Sequence, residues 1–232
     1  MLNLMKQELR RNNIRIYILA AIISCVGLTA FIYFISYAAQ YDNKVEFQNY
    51  TNIIRFVLIM SLFVFSMLSA TMYSRFIIDE YNGAKLALLF SYPVNRKRIL
   101  VSKLLVISIF TIVSMTATIT VALTLFCITE YISPILHDTF SFSLFMTTVQ
   151  SIGMCIVGSV TIGVISMRVG FVKKSTPTTL ITAFLLSGVV GNAIIGAAEN
   201  LLLGIGLITV LIIITLTIII ELSNRINEME VE

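Results

Sequence analysis

The sequence predicts an all-α integral membrane protein with six transmembrane helices, an N-terminal interfacial helix and both termini cytosolic. Three observations lead there. Of 232 residues, 58% are hydrophobic and only 12% are Asp, Glu, Lys or Arg, about half the charge of an average soluble domain. The apolar residues gather into six runs, at about 16–39, 53–74, 104–129, 142–167, 176–198 and 201–220, each close to the roughly 20 residues that cross a hydrocarbon core of ~30 Å. With those spans, fourteen of the sixteen Lys and Arg fall on one side and only Lys44 and Arg55 on the other. Positive charge is retained on the cytosolic face, which orients the chain. Residues 1–232 are accordingly read as a single transmembrane domain.

At the N-terminus, Leu2, Met5 and Leu9 share one helical face while Lys6, Arg10 and Arg11 occupy the others. That is the pattern of a short helix lying in the membrane interface. The run that follows is too long for a signal-peptide core and is expected to remain as span one. Asp42, Lys44 and Glu46 make a short outer loop before span two, where Arg55 is placed to snorkel to headgroups, with a substrate contact as the other reading.

Between spans two and three lies the longest polar interruption of the chain. Residues 75–103 carry six of the sixteen basic residues. Phe76, Ile77, Glu80, Ala84, Ala87 and Leu88 recur at three- and four-residue spacing, which continues a helix beyond the span. Gly83 weakens that helix, and Pro93, after Ser91 and Tyr92, ends it, because Pro lacks an N–H and disfavours a helical residue before it. Asn95 then caps a new helix whose first turn is Arg96, Lys97 and Arg98. Cations are unfavourable there by a few tenths of a kcal/mol. Anionic lipid is one reason to place them so; a cytosolic partner surface is another.

Span three carries Thr116, Thr120 and Thr124 on one face. Such hydroxyls join helices or line a polar path. Glu130, His137 and Asp138 fall in the next outer loop, and one His beside one acid falls short of the three or four ligands of a zinc site. Span four holds Gln150 and the small-residue pair Ser159 and Gly163. Pro177 opens span five at an allowed position, and the pattern weakens around Asn192 between Gly188 and Gly196. Span six is almost pure Leu and Ile.

Nucleic acid is excluded as a partner, because the cations sit at span ends and form no stripe with interleaved aromatics. Cys25, Cys127 and Cys155 are odd in number and scattered through apolar runs, so they are packing residues and neither a disulfide framework nor a metal site. There is no phosphate-binding loop, no HExxH and no GxSxG. No catalytic residue and no cofactor is therefore assigned to this chain.

Taken in order, Glu80, Gly83, Leu88-Leu89-Phe90-Ser91-Tyr92-Pro93-Val94-Asn95-Arg96 and Lys103 resemble the cytosolic signature of ABC type-2 transporter permeases. In that family an acidic residue and a Gly precede the motif and a Lys opens the third span. The resemblance implies a permease subunit of an ATP-driven exporter, and the Ile-, Asn- and Lys-rich usage points to a bacterial plasma membrane. The resemblance also implies a cytosolic ATP-binding subunit, holding ATP and Mg2+, docked through Glu80, Gly83, Leu86, Leu89, Phe90, Tyr92, Pro93 and Arg96. A second permease subunit would complete the pathway, with Thr116, Thr120, Thr124, Gln150 and Asn192 as candidate lining residues. The family often folds two re-entrant helices between spans five and six, and here there is room for only an abbreviated one. A membrane scaffold or sensory protein without an ATPase is the alternative that topology alone allows.

Overall fold

A computed structural model describes residues 14–42, 50–80, 96–132, 142–198 and 200–228. The helices are α1 (Ile14–Asp42), α2 (Tyr50–Tyr73, continued by a π-helical turn Ser74–Ile78), α3 (Arg96–Ile132), α4 (Phe142–Lys173), α5 (Thr176–Ala197) and α6 (Leu201–Glu228). All six are long and apolar enough to cross a membrane, and no strand occurs among the described residues. The proposed interfacial helix at residues 2–15 falls almost wholly outside the described residues.

The helices run up and down. Tyr17 near the start of α1 meets Phe76 at the end of α2, ring edge to ring face at 5.6 Å. At the opposite end the Tyr33 hydroxyl reaches the Leu125 carbonyl at 3.2 Å and Thr129 Oγ1 at 3.0 Å, both late in α3. One end, here termed the basic end, therefore gathers the start of α1, the end of α2, the start of α3 and the α4–α5 turn.

Most helices run past the spans expected from hydropathy, and α3 does so most. At about 1.5 Å per residue its 37 residues reach roughly 55 Å against a ~30 Å core, so it projects beyond the bilayer. Glu130, expected in a loop, is in fact inside α3 and buried, with its Oε1 accepting from the Tyr50 hydroxyl at 2.9 Å. The hydropathy cut-off ended the span one residue before this Glu. The helix continues past it, with the Tyr50 hydroxyl supplying a donor to one of the two buried carboxylate oxygens.

The bundle centres on α2 and α4, while α1 and α6 expose most of their Ile, Leu and Val to the surroundings. Glycines let α4 approach its neighbours. A Cβ on Gly163 would lie 2.6 Å from Ser69 Oγ and 2.9 Å from the Tyr73 ring; one on Gly170 would lie 2.6 Å from Ile78 Cδ1 and collide with Thr179 Oγ1. Backbones that close are the usual device for helix association where lipid removes the hydrophobic drive. One core cluster, including Leu62, Phe65, Met115, Met154 and Ile194, fills the middle and far end. A second, including Tyr73, Phe76, Ile77, Leu100, Leu104, Val164 and Met167, fills the basic end.

Two turns are tight. α4 ends in a left-handed Lys174 (φ 48°), with Ser175 N–H bonding Gly170 O at 3.1 Å and Lys174 N–H bonding Phe171 O at 3.3 Å. That is the Schellman pattern with Lys where Gly is usual, and Pro177 enters the first turn of α5 immediately after. Between α5 and α6 only residues 198–200 intervene. Asn200 caps α6, its Oδ1 accepting from Leu202 N–H at 3.0 Å. No re-entrant element stands between α5 and α6 among the described residues, where the sequence had left room for at most an abbreviated one.

Candidate functional site

The site of interest is the base of the connector between α2 and α3, at the basic end. Helix α2 leaves α-geometry at Ser74. Asp79 N–H reaches five residues back to Ser74 O at 3.0 Å, and Glu80 N–H bonds Ile77 O at 3.2 Å. In an uninterrupted α-helix Glu80 N–H would have gone to Phe76 O. Lys103 of α3 takes that carbonyl instead, its Nζ donating at 2.9 Å, and the same ammonium is ion-paired with Glu80 Oε2.

The Lys103 side chain is 1% exposed and that of Glu80 14%. An ammonium so deeply placed is tolerable only with a counterion and further acceptors, and removing one partner of such a pair typically costs about 3–5 kcal/mol. Around it the packing is apolar: Phe76, Ile77, Leu100, Leu104 and Ile107 are all buried. Tyr73, one turn earlier, shares a hydrogen bond of 2.9 Å with Ser108 of α3. The turn also presses Ile78 against Gly170 of α4. One π-turn thus touches α1, α3 and α4 within a few residues.

Of the docking residues expected from sequence, Gly83, Leu86, Leu89, Phe90, Tyr92 and Pro93 lie outside the described residues. Arg96 opens α3. Glu80 is described, and its carboxylate is committed to Lys103 inside the bundle. Sequence reading had Lys103 only as the residue that opens span three. The pairing was hidden because 23 positions separate the partners, and because a π-turn, which sets the reach between them, has no periodicity of its own to detect.

The candidate lining residues do not converge within one chain. Thr116, Thr120 and Thr124 sit on an exposed face of α3, and each hydroxyl bonds back into its own helix, to Ile112 O at 2.6 Å, to Thr116 O and to Val121 O at 3.0 Å respectively. Asn192 is on the exposed side of α5, its Nδ2 donating to Gly188 O at 3.0 Å. Gln150 lies where α4 crosses α6 and donates to Asn200 O at 3.4 Å; Gly204 makes room for it, since a Cβ there would collide with Gln150 Nε2. Arg55 lines a small cavity with Ser151, Cys155 and Ile194. Among the described residues no group of metal-ligating side chains forms.

Six membrane-length helices, built around a polar joint where the second helix gives way to the third, can be compared with known proteins. The ABC-2 family transporter protein family matches residues 5–191. The chain belongs to this family. Members of the ABC-2 family are membrane subunits of ABC transporters and generally work with an ATP-binding subunit. The chain is also 30% identical over 105 residues to YcbO, an uncharacterized protein of Bacillus subtilis (strain 168). That match spans 45% of this chain and 46% of YcbO, so this ABC-2 chain covers about half the relative's length. No solved structure matches it.

Proposed function

We propose that this ABC-2 protein is the permease subunit of an ATP-driven exporter in a bacterial plasma membrane, with both termini cytosolic. The observation that carries the reading is the family match across residues 5–191. In this reading the basic end faces the cytosol, and a separate ATP-binding subunit carrying ATP and Mg2+ docks on the 75–103 connector. Leu86, Leu89 and Phe90 supply apolar anchors, and Arg96 adds an exposed charge whose pairing contributes about 0–1 kcal/mol. Two permease chains, identical or paralogous, enclose the path. The lipid-like surface and uncharged span centres favour an apolar or amphipathic cargo, such as an antimicrobial or toxic peptide, a lipid or a drug.

Affinity purification of the tagged chain from its own membranes tests this. An ATP-binding protein is expected to co-purify. Buried apolar anchors typically cost about 2 kcal/mol or more each when truncated, some thirtyfold in affinity. Leu89→Ala with Phe90→Ala is therefore expected to abolish co-purification while membrane insertion is kept. Retention of the ATP-binding protein at wild-type strength by the double variant defeats the docking assignment, and a chain that brings down no ATP-binding protein fits a scaffold or sensory role instead.

A further inference from the structure

Lys103 belongs to α3, yet it grips the far stem of the connector at two points: the Phe76 carbonyl inside the π-turn and the Glu80 carboxylate two residues after it. The connector leaves α2 at Glu80 and re-enters the bundle through the first turns of α3. The ammonium therefore closes the connector at its base, between the end of α2 and the first turns of α3. Nearby contacts reinforce the closure without charge, through Tyr73 to Ser108 at 2.9 Å and through the buried Phe76, Leu100 and Leu104. We propose that the Lys103–Glu80–Phe76 tie is a stem clamp, which makes the basic ends of α2 and α3 move as one body when the connector is displaced. Lys103 and Glu80 are then positioning residues, and Glu80 acts through Lys103 and not by touching a partner subunit.

Three features of the site favour a clamp over an incidental ion pair. The ammonium is sequestered, so salt and competing water reach it poorly. It bonds a main-chain carbonyl as well as a side chain, so it grips the backbone of α2 itself. And the carbonyl it takes is one whose helical donor, Glu80 N–H, has been redirected to Ile77 O by the π-turn. Interrupted helical ladders of this kind are often found at functional positions. The consequence for transport rests on the permease reading above: a push on the connector would reach the bundle as a tilt of two joined helices and would not be lost in spreading the stems apart.

The clamp can be measured without any partner or cargo. Spin labels are attached at Arg75→Cys in α2 and Leu105→Cys in α3, two exposed positions flanking the tie, in full-length chain with Cys25, Cys127 and Cys155 replaced by Ala, reconstituted in lipid nanodiscs. A control pair at Tyr37→Cys and Ile128→Cys reports the opposite end, where both positions are also exposed. The clamp predicts one narrow distance distribution for the 75–105 pair. That peak is expected to be lost in Lys103→Met and kept in Lys103→Arg, with the control pair unchanged in both. Should Lys103→Met fail to insert, Glu80→Met with Lys103→Met removes both charges, a replacement buried ion pairs often tolerate, and is expected to lose the narrow peak as well. An unchanged 75–105 distribution in an inserted Lys103→Met or double-Met chain, with the control pair intact, overturns the clamp. Because the readout needs no ATP-binding subunit, its failure leaves the docking reading standing, and failure of docking in the Leu89 and Phe90 variants leaves the clamp standing.

Discussion

A single methyl group at position 170 probes the packing of α4. Gly170 faces Thr179, which is fully buried and hydrogen-bonded to Ser175 O at 3.2 Å, and Ile78 of the π-turn. Neither neighbour has room to retreat. Gly170→Ala is expected to destabilise the fold by about 1–3 kcal/mol, the usual cost of overpacking, read as a lowered thermal midpoint in detergent. Gly153, in the same helix, has nothing within 4 Å of a built Cβ. There the same substitution is expected to be neutral or to stabilise by up to about 1 kcal/mol, because Ala gives up less backbone freedom on folding. Equal losses at both positions would mean that helix propensity, not close approach, governs α4. In the sequence both residues look alike, as glycines in an apolar run. What distinguishes them is which neighbour stands opposite, and that is a property of the tertiary arrangement.

Among the elements, α3 shows where local pattern is informative and where it stops. Its existence, its threonine face and its cationic start follow from spacing and composition. Its length does not, because a hydropathy threshold drops Glu130 whereas the helix keeps it through Tyr50. The threonine face was legible as a stripe, but not its direction: it points outward, and its hydroxyls bond their own backbone. Replacing Thr116, Thr120 and Thr124 together with Val is therefore expected to change the stability of the isolated chain by less than about 1 kcal/mol, since no hydrogen bond between helices is lost. A thermal shift much larger than the roughly 2–4 °C that 1 kcal/mol implies for a chain of this size would show that these hydroxyls are engaged elsewhere in the assembled protein. In the connector, the end of α2 bears out the continuation past the hydropathic span as far as Ile78, while the bend expected at Gly83 and the turn expected at Pro93 lie outside the described residues. The π-turn and the clamp it permits depend on a contact across 23 residues, which period-based reading does not reach.

At the scale of the whole molecule, the charge asymmetry makes a definite statement about sidedness. Cysteines placed at Asn43 or Asp138 are expected to react with a membrane-impermeant thiol reagent in intact cells, and cysteines at Asn82 or Lys173 are expected to stay unlabelled until the membrane is opened. The opposite labelling would invert the proposed orientation and place the connector on the wrong face for a cytosolic ATPase. Native mass spectrometry of the purified complex is expected to show two permease chains; a lone chain with its ATP-binding subunit would count against a shared pathway. The tight turn at Asn200 has a further consequence, which concerns how the protein is made. Three residues of extended chain reach only about 10 Å, a third of the ~30 Å hydrocarbon core. During synthesis α5 therefore cannot settle across the bilayer and wait while α6 remains on the side from which it emerged. In the proposed orientation the last two helices are then expected to enter together as a hairpin, with Asn200 at its leading tip.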